Sequence, residues 1–402
     1  MPAVPRDQVG VALDVFGCPN RCWHCYLGVP PVARKPLTEE DLRAVVGQVR
    51  AFKRPGEHEP LWRKLRVSTW VREPDYSDDY KRLYDLENEL GDVPSPRAEW
   101  ELLSVWRLAR DPEYAEWAHS IGVRVCQISF FGLDKVTDWA YRRRGAFQDA
   151  IVATERLLAA GIRPRWQWFL TKRIIPDLPG LIKLTRELRL RERCEALGGP
   201  FTLLLHCPSP DGEAWNLEHL RPTVEDVTHV TALLRERGEL EILRPLGEPE
   251  GRLVRQLMSN HHPALTSVAD VVPGGLWLFV LPGSDVYSNL LGELSPAWRL
   301  GNLRRDGPAA IVDALQNERP PGLQAMFRVP VSDLARRFGR PYGRRVYTAD
   351  DLKERWARMW ANAAYSAEPG GMSPQAQRGL PACGGNLGSG ETCRQHVEGQ
   401  EP

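Results

Sequence analysis

Three cysteines, Cys18, Cys22 and Cys25, lie within eight consecutive positions near the start of the chain. Their spacing is C-x3-C-x2-C, in the segment GCPNRCWHCYLG. Thiolates are the usual ligands of four-iron, four-sulfur clusters, which normally take four of them. Three thiolates on one tight loop would hold three irons and leave the fourth iron open. An open iron can chelate a small molecule through an amine and a carboxylate.

Two other uses of these cysteines are considered. A zinc site would recruit His24 as its fourth ligand, but ligands at the adjacent positions 24 and 25 strain a tetrahedral geometry. The cysteines could instead be structural and buried, although the loop that carries them is polar. In the reducing cytosol, clustered cysteines are more often metal-binding or catalytic than disulfide-bonded. The other cysteines are scattered along the chain: Cys126, Cys194, Cys207, Cys383 and Cys393.

The overall composition excludes several classes of function. The chain has 402 residues, 53 Lys and Arg against 52 Asp and Glu, and a formal net charge of +1. No basic or acidic block favours binding to nucleic acid or to a membrane surface. The N-terminus lacks the pattern of a signal peptide, and no stretch approaches the roughly 18 apolar residues of a membrane span. We therefore expect a cytoplasmic protein.

The first 215 residues alternate predicted strands with predicted helices. The helix LTEEDLRAVVGQVRAF begins after Thr38, and FQDAIVATERLLAAG ends at a glycine. Six strands and their helices predict an α/β fold, an open, partial (β/α)6 TIM-like barrel, because six units are too few for a closed barrel of eight. In such folds the chemistry lies at the carboxyl ends of the strands, where the cysteine loop follows the first one. The predicted strands are VGVALDVFG, KLRVSTWV, WELLSVWRL, VRVCQISFFG, RPRWQWFLT and PFTLLLHCPSP.

The sequence changes character after about residue 222. A helix, VEDVTHVTALLRERG, is followed by β-hairpins in GGLWLFVLPGSDVYSNLLGELSPAWRLGNL and by the helix TADDLKERWARMWANAAYS. We predict a barrel over residues 1–222, a smaller α+β extension that covers the substrate over 223–365, and a polar, Gly- and Pro-rich tail over 366–402. The chain also contains 14 tryptophans. We expect an aromatic-rich pocket from four of them: Trp70, Trp106, Trp166 and Trp168.

The segment CPNRCWHC resembles the cysteine motif of the radical S-adenosylmethionine (radical SAM) superfamily. The resemblance extends over roughly residues 9 to 215. It implies one [4Fe–4S] cluster on Cys18, Cys22 and Cys25, whose open iron binds SAM. It also implies reductive cleavage of SAM to a 5′-deoxyadenosyl radical that abstracts hydrogen from a substrate. His24 stands where the family prefers an aromatic residue near the adenine.

Other SAM-contacting residues follow from the same resemblance. The family's Gly-Gly-Glu-Pro has no intact match, but STWVREPDY keeps Glu73, which could accept a hydrogen bond from the SAM ammonium; a surface glutamate is the alternative. Ser129 matches a serine that contacts ribose or carboxylate. Arg144, before a glycine, matches a common Arg-Gly and is assigned to the SAM carboxylate, with a solvated cation as the alternative. Gln167, on the fifth predicted strand, completes the cofactor-binding candidates.

Two catalytic candidates end the sixth predicted strand, in LLLHCPSPDG. Cys207 is a candidate hydrogen-atom donor, because an S–H bond is weak enough to quench a carbon radical; the alternative is a buried structural cysteine. His206 is a candidate general base, and the alternative is a hydrogen-bonding residue at the strand end.

The C-terminal region resembles the SPASM and twitch extensions of radical SAM enzymes. It keeps Val286, Tyr287 and the run Leu300–Leu303, but Ser288 and Asn289 stand where a cluster cysteine would fall. Downstream cysteines number only two, at positions 383 and 393. We therefore predict this scaffold without an auxiliary cluster, which favours redox-neutral outcomes such as epimerisation, elimination or rearrangement over dehydrogenation.

Three functions are compared. The leading one is hydrogen abstraction from a polar small molecule, such as a sugar, aminocyclitol, nucleoside or amino-acid derivative, in natural-product biosynthesis. The second is maturation of a ribosomal peptide by the same chemistry, and the third is a non-catalytic iron–sulfur protein. We expect a flavodoxin or ferredoxin as electron donor and neither nucleic acid nor a membrane as partner. A methyltransferase is disfavoured, since no cobalamin domain or additional cluster domain is recognised.

Overall fold

The computed structural model describes residues 6–15, 17–25, 27, 37–69, 77–94, 102–210, 212–265, 275–290 and 294–367. It is a mixed α/β protein. The strands are β1 (Gln8–Leu13), β2 (Lys64–Ser68), β3 (Val125–Phe130), β4 (Arg163–Phe169), β5 (Thr202–His206), β6 (Glu248–Pro249), β7 (Trp277–Val280), β8 (Asp285–Ser288), β9 (Gly301–Asn302) and β10 (Val346–Tyr347). No helix among the described residues is long and apolar enough to cross a membrane.

Helices connect and flank these strands. They are α1 (Glu39–Ala51), α2 (Tyr80–Leu90), α3 (Val105–Leu108), α4 (Tyr114–Ser120), α5 (Asp134–Tyr141), α6 (Ala146–Ala159), α7 (Leu178–Glu187), α8 (Leu190–Ala196), α9 (Val224–Arg237), α10 (Glu250–Leu257), α11 (Leu303–Gln316, interrupted at Gly307), α12 (Pro321–Phe327), α13 (Val331–Phe338) and α14 (Ala349–Ala367).

Five of the six predicted strands are present and pair in parallel. β1 pairs with β2, and β3, β4 and β5 form a second parallel sheet. The expected alternation of strands and helices follows, with α1 beginning after Thr38. The Thr38 side chain accepts a hydrogen bond from the backbone of Asp41, whose own side chain accepts one from Thr38, as in a capping box. The helical region after β4 is divided at Arg189, which has φ of 53°, into α7 and α8.

The third predicted strand is wrong. In WELLSVWRL, residues 105–108 form α3, because the Ser104 side chain caps the turn by accepting a hydrogen bond from the Arg107 amide. A sixth parallel position exists elsewhere: Leu243 bridges Leu205 of β5, and the Arg244 amide donates to the Leu205 carbonyl at 3.0 Å. Leu243 follows α9, so the alternation of strands and helices continues here. Its segment pairs with β5 at a single bridge, which is too short to form a strand.

The C-terminal hairpins form as predicted and continue the sheet of the first strand. β7 runs parallel to β1, and β8 and β9 follow antiparallel, giving the order β2-β1-β7-β8-β9. A Cβ at Gly10 would lie 2.1 Å from the Trp277 ring, so β7 packs this closely only because residue 10 is glycine. Among the described residues no strand pairing joins β2 to β3. The partial barrel and the domain boundaries therefore stay predictions, and the tail beyond residue 367 lies outside the described residues.

The two faces of the β3-β4-β5 sheet differ in chemistry. Trp166 and Trp168 are fully buried in the core that packs between this sheet and its helices, together with Leu205. Neighbouring positions point the other way, because side chains alternate along a strand. We call this second surface the inner face, defined by Ser129, Gln167, Phe169 and His206.

The expected aromatic pocket does not form from the tryptophans named for it. Trp166 and Trp168 face the helices, because their neighbours Gln167 and Phe169 occupy the inner face. Trp106 lies in α3 rather than on a strand. Trp70 lies outside the described residues.

Candidate functional site

The cysteine loop follows β1 at its carboxyl end, and backbone hydrogen bonds attach it to two other elements. Trp23 donates to the Ala140 carbonyl at 2.9 Å, and Arg21 donates to the Tyr141 carbonyl at 3.2 Å, at the end of α5. On the other side the Glu213 amide donates to the Cys25 carbonyl at 2.8 Å. The loop is thus held at both of its ends by segments that follow β3 and β5.

All three loop cysteines are half-buried, and no disulfide forms among the six cysteines within the described ranges. The described residues contain no group of three or more His, Cys, Asp or Glu side chains able to hold a single metal ion. Three cysteines on one loop at a strand end remain compatible with a larger cluster, in which each thiolate binds a different iron.

His24 lies in an aromatic cage. Its ring centroid is 4.5 Å from that of Phe131, 5.0 Å from Phe169 and 6.1 Å from Tyr141. Burial lowers the pKa of His24 to about 3, so the ring is neutral. Its Nδ1 is buried and has no hydrogen-bond partner in the described structure. A buried polar atom without a partner is costly, and a ligand with a complementary donor or acceptor would relieve that cost.

Arginines after α5 frame the start of the loop. Arg142 stacks over the Trp23 ring at 4.3 Å, and Arg143 donates to the Asn20 side chain at 2.7 Å while pairing with Asp149. The predicted Arg144 is exposed and precedes α6. Arg143, which touches the cysteine loop, was missed because nothing in the run Arg142–Arg144 distinguishes one arginine from the next.

Ser129, Gln167 and His206 come together on the inner face. Ser129 and Gln167 are register partners, and the Tyr141 hydroxyl donates to the Ser129 carbonyl at 3.0 Å. Gln167 Nε2 lies 2.6 Å from His206 Nε2, and His206 Nδ1 lies 2.8 Å from the Cys207 carbonyl.

These contacts define the tautomer of His206. A carbonyl can only accept, so Nδ1 carries the proton and Nε2 accepts from the Gln167 amide. Burial lowers the pKa of His206, and the nearby Arg165 and Arg221 lower it further. The lone pair that a general base would use is therefore already engaged by Gln167.

Cys207 lies on the opposite side of the strand from His206. Its side chain packs against the core between the sheet and the helices. Burial raises the pKa of its thiol to about 11, so the S–H form dominates at neutral pH. Glu73, the remaining candidate, lies outside the described residues.

Sequence reasoning missed the segment 212–221 entirely. It forms a 3-10 helix over Gly212–Leu220 that donates the Glu213 amide to the cysteine loop. Its Leu217 joins the apolar cluster of Phe131, Tyr141 and Phe169, against which Cys22 and Trp23 also pack. The only local signal is a short apolar spacing in GEAWNLEHL, which does not reveal what it packs against.

No family model and no curated protein matches this chain. It is similar to solved structures at low identity. Native anSMEcpe with bound AdoMet is 11% identical over 89% of this chain and 97% of that chain, with a TM-score of 0.48. Native anSMEcpe with AdoMet and Cp18Cys peptide is 12% identical over 90% and 98%, also with a TM-score of 0.48. Streptococcus suis SuiB bound to S-adenosylmethionine is 13% identical over 80% and 68%, with a TM-score of 0.40.

Proposed function

We propose that this protein is a radical SAM enzyme, in which Cys18, Cys22 and Cys25 hold one [4Fe–4S] cluster. The observation that carries the proposal is the placement of the cysteine loop. It follows a parallel strand at the carboxyl edge and is fastened to α5 and to the segment 212–221. The three thiols are half-buried beside a neutral histidine whose Nδ1 lacks a partner among the described residues. When bound, the cluster supplies the electron that cleaves SAM to methionine and a hydrogen-abstracting 5′-deoxyadenosyl radical.

The residues of the chain would bind and orient the ligands. His24, held by its aromatic cage, would pack against the adenine and use Nδ1 as a polar contact. Glu73 is proposed for the SAM ammonium, and Ser129 and Arg144 for the ribose and carboxylate. Gln167 is positioned by its hydrogen bond to His206, which supports a role for His206 in orienting Gln167 rather than in removing a proton.

For the substrate, the peptide alternative is placed before the small molecule. Structures of anSMEcpe similar to this chain were solved with Kp18Cys and Cp18Cys peptides, which makes precursor peptides the first substrates to test. The sugars, nucleosides and amino-acid derivatives suggested by sequence form the second group. An electron donor of the flavodoxin or ferredoxin type is proposed as partner. A role for the Cys207 thiol as hydrogen-atom donor stays a proposal that Cys207→Ala tests through product stereochemistry.

The test is formation of 5′-deoxyadenosine from SAM by anaerobically reconstituted, dithionite-reduced protein. The control is the triple variant Cys18→Ala/Cys22→Ala/Cys25→Ala, purified and reconstituted in the same way. We expect product only with the intact cysteines, increased by the true substrate class, and deuterium transfer from labelled substrate into 5′-deoxyadenosine. A protein that takes up no more iron than the triple variant would contradict the proposal. Stimulation by small molecules but not by peptides would reverse the order of the substrate classes.

A further inference from the structure

The segment 212–221 forms a wall of the cysteine loop. Its Glu213 amide donates to the Cys25 carbonyl at 2.8 Å. Its Leu217 is buried in the apolar cluster against which Cys22 and Trp23 pack. One polar and one apolar contact therefore fix the loop from this side. Any displacement of the segment would remove both contacts together.

The opposite side of this segment is held by charged and polar side chains of the C-terminal region, of which Arg355 is buried. Glu218 accepts from Arg355 of α14 at 2.7 Å, from the Tyr347 hydroxyl at 3.0 Å and from Arg340 at 3.1 Å. Arg355 is 1% exposed and also pairs with Glu250 at 3.1 Å, itself 1% exposed. Leaving one partner of such a pair unpaired is costly, because the remaining charge stays buried without compensation.

Arg355 also contacts the segment through a second residue. Its guanidinium lies 5.2 Å from the ring of Trp215, within the range of a cation–π contact. Arg358, one turn further along α14, lies 5.6 Å from the same ring and donates to the Pro210 carbonyl. Arg355 thus contacts both the carboxylate of Glu218 and the ring of Trp215, and Arg358 contacts the same ring.

Arg221 fastens the end of the segment. It is 4% exposed and donates to the Pro208 carbonyl at 2.7 Å and to the Val346 carbonyl at 2.6 Å, and it pairs with Asp351 of α14. The segment is consequently attached to α14 and to β10 at several points. No local feature of the cysteine loop would reveal this dependence.

We propose that Arg355 is a positioning residue for the cysteine loop, acting through Glu218 and Trp215 on the segment that packs against Cys22 and Cys25. The contacts of Arg355 with Glu218 and Trp215 thereby control how well the loop thiols are shielded and how long a cluster is retained. The shielding part needs only the described contacts. The retention part rests on the proposed function.

The first experiment measures cysteine alkylation in the full-length, iron-free, reduced protein. Short iodoacetamide pulses and mass spectrometry give a rate for each cysteine. Cys194, fully buried in the core between β3-β4-β5 and its helices, is the internal reference for global unfolding. We expect Arg355→Met to raise the rates of Cys22 and Cys25 about tenfold relative to Cys194, equivalent to a loss of about 1.4 kcal/mol against local opening. Arg355→Lys should be intermediate, because one ammonium cannot pair with two carboxylates as the forked guanidinium does.

The matched control is Trp356→Leu, the next residue on α14. Trp356 is fully buried in the C-terminal core, so this variant reduces buried packing on α14 while Arg355 and its contacts to Glu218 and Trp215 are kept. We expect it to leave the ratio of the Cys22 and Cys25 rates to the Cys194 rate unchanged. An equal rise of all rates in Arg355→Met, or no rise, would overturn the proposal. If Arg355→Met does not fold, the isosteric Glu218→Gln carries the same test, with a smaller rise expected and no rise overturning it.

The second measurement separates this inference from the proposed function. After anaerobic reconstitution, the half-life of the iron-dependent visible absorption in air should decrease from wild type to Arg355→Lys to Arg355→Met. Failure of the wild-type chain to take up iron would contradict the proposed function and leave the alkylation result intact. Equal half-lives in chains that do take up iron would overturn the retention part of the inference.

Discussion

The amide of Glu213 donates a hydrogen bond to the carbonyl oxygen of Cys25, at 2.8 Å. This bond joins the segment that follows β5 to the third cysteine of the loop that follows β1. Both residues lie in segments that follow the carboxyl ends of parallel strands, where loops from distant parts of the sequence meet. The bond involves only backbone atoms of the two residues. The type of side chain at position 213 therefore does not indicate that the bond forms.

Replacement of Glu213 by proline should loosen the cysteine loop. Proline removes the donor but is tolerated in the first turn of a helix, where Glu213 lies, so the 3-10 helix should survive. The expected loss is that of one buried hydrogen bond, about 1 kcal/mol, with the Cys25 carbonyl left to find another partner. Iron retention after reconstitution and the alkylation rate of Cys25 measure the effect.

The control for this variant is Glu213→Ala, which removes the side chain but keeps the amide. It also removes the carboxylate that accepts from Asn216 at 2.8 Å, so a small loss of stability is expected. Alkylation of Cys25 should stay close to the wild-type rate. Equal effects of Glu213→Pro and Glu213→Ala would show that the side chain, not the amide, supports the loop.

Substitutions at His24 should separate ring packing from polar contact. His24→Phe keeps a ring in the cage of Phe131 and Phe169 and removes the buried Nδ1, so the iron-free protein should be as stable as wild type or more stable. His24→Ala leaves a cavity and should lower stability by about 2–4 kcal/mol. Thermal unfolding of the iron-free protein gives both values.

The reconstituted His24 variants then test the ligand contact. If the ring packs against the adenine, His24→Phe should retain SAM binding and His24→Ala should weaken it about tenfold, a difference of about 1.4 kcal/mol. Isothermal titration with SAM measures this. Unchanged affinity in His24→Ala would remove His24 from the SAM site.

Local patterns predicted those features of the fold that depend on neighbouring residues. The capping box of Thr38 and Asp41 lies within four positions, so the start of α1 was readable from sequence. The alternation of side chains along β4 places Gln167 on the face opposite Trp166 and Trp168, which is why these tryptophans do not line the expected pocket. The strand prediction for residues 105–108 was wrong for a local reason as well. The apolar composition there also suits a strand, but the Ser104 cap stabilises a helical turn.

The unpredicted parts of the site depend on contacts between distant positions. Nothing near Leu243 indicates that it extends the sheet beside Leu205, and nothing near Arg143 distinguishes it from Arg144. The pairing of Arg355 with Glu218 is an extreme case, because an arginine on a helix is ordinarily a solvated charge. The position of the cysteine loop could be predicted from the sequence. The segments that pack around the loop could be identified only from the tertiary structure.

The contact of Gly10 with Trp277 gives a stability prediction for the sheet that carries the cysteine loop. Gly10→Ala would place a Cβ 2.1 Å from the indole and should lower stability by about 1–3 kcal/mol by overpacking. Adding Trp277→Val should recover part of this loss, with a coupling of about 1 kcal/mol in a double-mutant cycle. Denaturant unfolding of the four proteins measures it.

Gly47→Ala is the matched control for this cycle. Gly47 lies in α1, and no atom lies within 4 Å of a Cβ built there. The substitution should therefore stabilise the protein by about 0.5–1 kcal/mol through helix propensity. A loss in Gly10→Ala no larger than the change in Gly47→Ala would contradict the close packing of β7 on β1.

His206 should make the stability of the protein depend on pH. Burial lowers its folded-state pKa below the ordinary 6.5, so the unfolded chain takes up a proton at this residue before the folded chain does. The associated stability is fully present above pH 6.5 and is lost as the pH falls through the folded-state pKa, with a limiting slope of about 1.4 kcal/mol per pH unit. His206→Gln should remove this slope, and the difference between the two proteins isolates it from the other histidines. Gln167→Met should weaken the slope, because loss of the amide that donates to Nε2 makes protonation of the folded protein easier. Chemical unfolding at pH values from 5 to 8 provides the comparison, and identical slopes in wild type and His206→Gln would mean that folding does not lower the pKa of His206.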